Sequence, residues 1–414
     1  MIMKRGSVKA AALIILLPLL IVQSCGREEE ADPFEDNTYL MSSERAHTYG
    51  ESDILTLLTV FSTMYPEISA IVPDVASGVL IESITYMTEF MGEEKEASAL
   101  VAFPSEPGEY PVLVYQNGTN TLHSNAPSAN PYYTLYALLE CAASTGYVVV
   151  MADYLGFGST EDMAHPYLHK ESTVRSLVDV MYSLKEFDED VAKNVTFMDE
   201  YYLMGYSQGG WSTLALLKEL ELEFSADFNV AGAVCGAGPY DINWFNSWIL
   251  GQTTYPMPVF LGYIAHAYDE YDLFTNSLSD LFNNTYAGLI PDLYDGLHSS
   301  DQINNQLTTD ITGLFRAEYI SGYSSSPAYQ SVRDALVENS ITAWDSSIPL
   351  LFTHGADDVF VPPALSENMH GDMVDAGTSN LSCTYLPLTC KDHTTGIVTS
   401  GLAGLAFFKT LREL

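Results

Sequence analysis

Glu200-Tyr201-Tyr202-Leu203-Met204-Gly205-Tyr206-Ser207-Gln208-Gly209-Gly210-Trp211-Ser212-Thr213-Leu214-Ala215-Leu216-Leu217 is the stretch on which the fold turns. Its first half reads as a buried strand and its last half as a helix. Between them lies Gly205-Tyr206-Ser207-Gln208-Gly209, a G-x-S-x-G sequence at a sharp strand-to-helix turn. Such a turn lifts a serine hydroxyl above the sheet, its glycines let strand and helix pass closely, and the helix N-terminus favours developing negative charge. By chance alone the pattern would occur in roughly one chain of this length in ten, so the rest of the sequence must carry the argument.

Outward from this turn the pattern alternates. Residues 84–91 and 97–103 read as a hairpin pair, and Pro111-Val112-Leu113-Val114-Tyr115 as a short buried strand running into the turn Gln116–Asn120. A helix over 132–144 precedes Tyr147-Val148-Val149-Val150-Met151, whose unbroken apolar character suits a parallel strand covered on both faces. Helix 172–187, strands 229–235 and 349–353, helix 363–376, strand 384–386 and helix 396–411 complete an α/β, doubly wound, mostly parallel pattern. The connection of about 237–346 is far longer than an ordinary crossover and rich in aromatic residues, among them Trp244, Phe245, Trp248, Tyr255, Phe260 and Tyr263. It is expected to form a helical cap insertion beside the nucleophile, within a domain spanning 49–414.

A serine hydroxyl needs a neutral imidazole to accept its proton. His393, between the last strand and helix, is the expected base. His354 is assigned to the turn of His354-Gly355-Ala356-Asp357-Asp358, and His47, His123, His266, His298 and His370 lack a comparable strand-end context. The imidazole in turn needs a carboxylate. In H-G-x-x-D patterns the final aspartate has that role, which points to Asp358, with Asp357 as the alternative. Two backbone N–H groups must face the oxyanion. Gln208 is expected to supply one, and the loop after Tyr115 the other, from Thr119 or its runner-up Asn117. His165 and His169 lack a third ligand, and no metal or cofactor motif is present, so neither is expected.

The chain begins with Lys4-Arg5 and an apolar run from Ala10 to Val22, the layout of a secretory signal too short for a comfortable membrane span. Val22-Gln23-Ser24-Cys25 resembles a bacterial lipobox, which implies cleavage after residue 24 and acylation of Cys25. Residues 25–48 are expected to be an acidic tether, and a lipid-anchored cell-envelope location, with possible surface exposure, follows from this reading. Loss of residues 1–24 removes three basic and no acidic residues, moving the net charge from −38 to −41. Nucleic acid is thereby disfavoured as a partner, and any membrane attachment would be by the lipid anchor only.

Tyr115–Thr119, Asp153-Tyr154-Leu155-Gly156-Phe157-Gly158, His165-Pro166-Tyr167-Leu168, Gly205–Gly210 and His354–Asp358 together resemble the secretory lipase and carboxylesterase branch of the α/β-hydrolases. The resemblance spans roughly 84–412 and implies an α/β-hydrolase fold and cleavage of small-molecule or lipid carboxylic esters by Ser207, Asp358 and His393. Two alternatives accompany it: a cap-containing serine peptidase with the same triad, and an inert fold used for surface binding or adhesion. Cys383 and Cys390 flank the last strand just before His393, and a disulfide between them is expected to brace that loop.

Overall fold

The computed structural model describes residues 34, 36–187, 191–192 and 194–413; the expected signal segment, Cys25 and the start of the expected tether lie outside them. The described residues build a nine-stranded sheet in the order β1-β2-β3-β5-β4-β6-β7-β8-β9. β1 (Leu40–Tyr49), β2 (Val79–Phe90) and β3 (Glu93–Pro104) are antiparallel. From β5 (Val148–Ala152) through β4 (Gly108–Gln116), β6 (Val195–Tyr206), β7 (Val230–Gly236), β8 (Leu350–Gly355) and β9 (Cys383–Leu388), every neighbouring pair is parallel. This is the doubly wound, mostly parallel architecture that the alternating pattern implied, and it agrees with the α/β-hydrolase fold that the resemblance implied.

The apolar runs explain the layering. All five residues of β5 are buried, as are all six of β8, because helices cover both faces of the parallel half. One face packs against α3 (Lys170–Phe187) and α4 (Gln208–Leu222), whose Leu177, Met181, Leu184, Leu214 and Leu217 are buried in the larger core. The other packs against α1 (Glu51–Met64), α2 (Thr134–Ala143) and the C-terminal helix His393–Arg412, through Ile54, Leu58, Cys141 and Phe408. Since β4 to β9 run the same way, the loops after β4, β6, β8 and β9 meet at one edge, where such sheets place their sites.

Between β7 and β8 the chain forms α5 (Ile242–Leu250), α6 (Pro258–Glu270), several short helices and helix Gln330–Glu338. Its two ends are clasped together: Ile341 N–H donates to Tyr240 O at 2.8 Å, and Ile242 N–H to Ser340 Oγ at 2.9 Å. Four tyrosine hydroxyls of the insertion donate to backbone carbonyls of the sheet-edge loops. Tyr255 reaches Phe360 (2.9 Å), Tyr263 reaches Asn120 (3.1 Å), Tyr268 reaches Leu168 (3.0 Å), and Tyr271 reaches Ala164. The aromatic richness of the segment thus packs its interior and also ties it down over the loops.

Three expectations are corrected. Residues 40–48, assigned to the tether, form most of edge strand β1 along β2. Only Leu40 among its residues is buried, so no apolar run marks it; pairing of its backbone, and the Glu186 carboxylate accepting from the N–H groups of Thr38, Tyr39 and Leu40, hold it in place. His393 opens the last helix instead of preceding it, because Asp392 caps that helix by accepting from Thr395 N–H at 2.8 Å. Cys383 and Cys390 are separate thiols. Cys383 begins β9, and its five extended steps to Leu388 cover roughly 16 Å, of which two further residues can return at most about 7 Å. A disulfide needs Cα atoms about 4.4–6.8 Å apart.

Candidate active site

Ser207 sits between β6 and α4 with φ 60° and ψ −123°, a region costly for a residue with a Cβ, at about 1–3 kcal/mol. The surroundings hold it there. Ser207 N–H donates to Gly236 O at 2.8 Å, and a Cβ on Gly205 or Gly209 would lie 2.3 Å from Gly209 O or 2.0 Å from Gln116 O. Both glycines are therefore required by close backbone approach, and the elbow keeps the hydroxyl half-buried at the sheet edge.

His393 lies opposite, with Nε2 2.9 Å from Ser207 Oγ and Nδ1 2.6 Å from Asp358 Oδ2. A carboxylate only accepts, so Nδ1 carries the proton and Nε2 is free to receive one from the serine. The rings of Tyr206 and Phe360 flank the imidazole, with centroids 5.2 and 5.5 Å away. Asp358 is buried after β8, and its Oδ1 accepts from the N–H groups of Phe360 (2.8 Å) and Val361 (2.9 Å). Burial alone would push its carboxyl up, but hydrogen bonds from His354 and His393 outweigh this and bring it down to about 2. Asp357 is exposed, and its backbone N–H donates to Lys391 O at 3.0 Å.

Gln208 is the first residue of α4, so its N–H has no intrahelical acceptor. Thr119 follows β4, and its hydroxyl pairs with that of Tyr167 at 2.8 Å. Among the described residues, neither backbone N–H is taken by another protein group. Asn117 is turned into the sheet, where Nδ2 donates to Ala152 O at 2.5 Å. The Gln208 side chain is fixed as well: Nε2 donates to His165 Nε2 at 3.0 Å, while His165 Nδ1–H donates to Leu155 O at 2.7 Å. Burial holds His165 down at about 4, so it stays neutral and keeps this clamp.

Two cavities meet at Ser207. One, of about 70 Å³, runs beneath the insertion and is lined mainly by apolar groups, including Ile242, Phe245, Ile249, Ile264, Phe274 and Phe315. The other, of about 330 Å³, is more polar and includes Asn117, Thr119, Asn120, Ser299, Ser300 and His393. A bound ester with its carbonyl at Ser207 could direct its apolar chain into the first and its other half into the second.

The structure thus brings Ser207, His393 and Asp358 within hydrogen-bond reach, places Gln208 at the elbow beside Ser207, and sets Thr119 in the loop after β4 that lines the same cavity as Ser207. It leaves Cys383 and Cys390 outside the cluster, and Cys25 outside the described residues. Sequence reasoning missed the polar supports. His354 was visible only as part of a turn motif, yet it touches Asp358, and His165 was visible as part of the His165–Leu168 motif and as an unsupported metal ligand, without its contact to Gln208. Asp153, visible in the sequence only as part of the Asp153–Gly158 motif, is buried, accepts from Ser98 Oγ (2.5 Å) and Ser128 N–H (2.9 Å), and burial raises its carboxyl to about 6. Among the described residues, no group of His, Cys, Asp and Glu is arranged to hold a metal ion.

Known proteins share this arrangement of elements. The family model described as "Secretory lipase" matches residues 132–410. A protein of Legionella pneumophila described as a hydrolase has 24% identity and a TM-score of 0.80, covering 90% of this chain and 98% of its own. The rice cell wall degrading esterase LipA from Xanthomonas oryzae has 23% identity and a TM-score of 0.75, covering 90% and 97%. Candida antarctica lipase A in its closed state has 15% identity and a TM-score of 0.65, covering 92% and 86%. No curated protein matches the chain.

Proposed function

Because the chain belongs to the secretory lipase family and is a carboxylesterase- or lipase-type hydrolase, we propose that it cleaves carboxylic esters by acyl transfer to Ser207, with His393 as base and Asp358 as its carboxylate partner. The observation that carries this is the continuous line Ser207 Oγ, His393 Nε2, His393 Nδ1, Asp358 Oδ2, at 2.9 and 2.6 Å. Ser207 Oγ gives its proton to His393 Nε2 and bonds to the ester carbon. The oxyanion formed faces the N–H groups of Gln208 and Thr119. Collapse breaks the carbon–oxygen bond of the alcohol, whose oxygen takes the proton from His393. Water then gives a proton to the same nitrogen and attacks the acyl-serine, releasing the carboxylic acid and restoring Ser207.

The narrow apolar cavity favours an acyl chain over a peptide segment, whose amide groups would lose their hydrogen bonds there. Assays of the full chain on p-nitrophenyl esters of increasing acyl length, against aminoacyl p-nitroanilides, test this directly. Ester turnover and little anilide turnover are expected; the reverse would establish a peptidase.

The pH dependence follows from the same groups. Asp358 has its folded value, about 2, below its ordinary 3.8, so its contribution to stability is present above about pH 4 and is lost as pH falls towards 2. It therefore stays ionised across the working range. Activity is expected to be lost in acid, because a protonated imidazole cannot accept the Ser207 proton. A flat kcat/KM between pH 5 and 8, with chemistry rate-limiting, would argue against a histidine base.

Acylation of Cys25 is proposed on the lipobox-like sequence alone. The full chain should then partition with membranes, and Cys25→Ala should release it or block its processing. Intact-mass analysis finding an unmodified N-terminus at another residue would reject the anchor.

A further inference from the structure

Asp358 serves two imidazoles, and the second one is outside the proton-transfer line. His354 is wholly buried at the end of β8, and its Nε2 lies 2.9 Å from Val361 O and 3.1 Å from Asp358 Oδ2, the same oxygen that accepts from His393. A carbonyl and an ionised carboxylate can only accept, so this nitrogen carries a proton and shares it between them. On the other side, Ser366 Oγ lies 2.7 Å from His354 Nδ1 and donates to it. Ser366 itself is fully buried in the helix Ala364–Asp375. The tautomer of His354 is thereby set by the two acceptors at Nε2, and the Ser366 hydroxyl matches it at Nδ1.

We propose that His354, held by Ser366, is a positioning residue that fixes the Asp358 carboxylate and tunes how strongly it holds the proton on His393. The proposal rests on Asp358 being the partner of the catalytic histidine. Without His354, Oδ1 would remain held by Phe360 and Val361, but Oδ2 would be restrained by His393 alone, the group that must gain and lose a proton in each cycle. An N–H bond to Oδ2 also withdraws charge from the carboxylate, which then stabilises the imidazolium less. Other groups facing the pair are fixed or remote. Tyr206 and Tyr255 lie within electrostatic reach of Asp358, the Tyr255 hydroxyl being committed to Phe360 O, while Asp392 is exposed and occupied in capping the last helix. Lys391 is paired with Glu67 at 3.1 Å.

Three measurements on the full chain test the idea. His354→Phe keeps a ring but loses the donor; kcat is expected to fall roughly tenfold or more with KM little changed, as for a displaced catalytic group. The acid limb of kcat/KM should move to higher pH by about half a unit, because the carboxylate left more negative holds the imidazolium more firmly. His354→Gln, which can still donate, should recover part of both. A folded His354→Phe enzyme with the parental kcat and pH profile would overturn the proposal, and so would a fall in kcat with no shift of the limb.

If that variant does not fold, Ser366→Ala leaves the ring in place but removes the hydroxyl that restrains it at Nδ1, and a smaller change in the same two quantities is expected. In the unaltered protein, ¹⁵N-resolved imidazole spectra should find His354 protonated at Nε2 and bare at Nδ1; the opposite tautomer would equally overturn the proposal. Failure of the underlying assignment looks different, because Asp358→Asn would then retain near-full activity whatever His354 does.

Discussion

Replacing Ser207 by alanine is expected to abolish ester hydrolysis, with kcat falling by about 10⁶-fold, because nucleophile and base act as a unit and the loss of one removes the covalent route. The fold should survive. Alanine also has a Cβ, so the elbow conformation at φ 60° costs about the same, and the side chain lost makes one hydrogen bond, to His393. The unfolding midpoint should therefore move by no more than about 0.5 kcal/mol equivalent. His393→Ala should be similarly inactive. Steady-state assays on a p-nitrophenyl ester, with thermal unfolding alongside, check both; activity within tenfold of the parent would place the nucleophile elsewhere.

Asp358→Asn should cost about 10³–10⁴ in kcat. The geometry says why. Oδ1 receives two backbone N–H donors, from Phe360 and Val361, so the amide oxygen of an asparagine must occupy that position. Its NH₂ then points at His393 Nδ1 and at the N–H of His354, where the carboxylate had accepted from both. To relieve this, His393 must move its proton to Nε2, and an Nε2–H cannot take the proton of Ser207. Asp357→Asn, on an exposed side chain outside this network, should change the rate less than about twofold. Reversal of the two effects would exchange the assignments of the neighbouring aspartates.

Residues 200–217 and the strands around them were legible because their signals are local. An unbroken apolar run such as Val148–Met151 can be satisfied only by a strand covered on both faces, and glycines on either side of Ser207 mark a turn where backbones cross. Chain order and strand-end position were enough to select Ser207, Asp358 and His393 as candidates. Edge strand β1 and helix α1 were not selected: β1 pairs its backbone with β2 while burying only Leu40, and the partner that satisfies its first N–H groups, Glu186, is far away in sequence.

From its order of residues alone, this chain determined an alternating parallel sheet, a serine on a strained turn, and an acid and a histidine at two other strand ends. Those features come from periodicity and backbone sterics, which act between near neighbours. Tertiary structure decided the rest: that Asp358 is shared by His393 and His354, that His165 clamps Gln208, that four tyrosines pin the insertion to the sheet-edge loops, and that Cys383 and Cys390 stand too far apart to bond. Each depends on how far apart two groups lie and in which direction their polar atoms point once the chain has closed on itself, and neither is a property of sequence spacing.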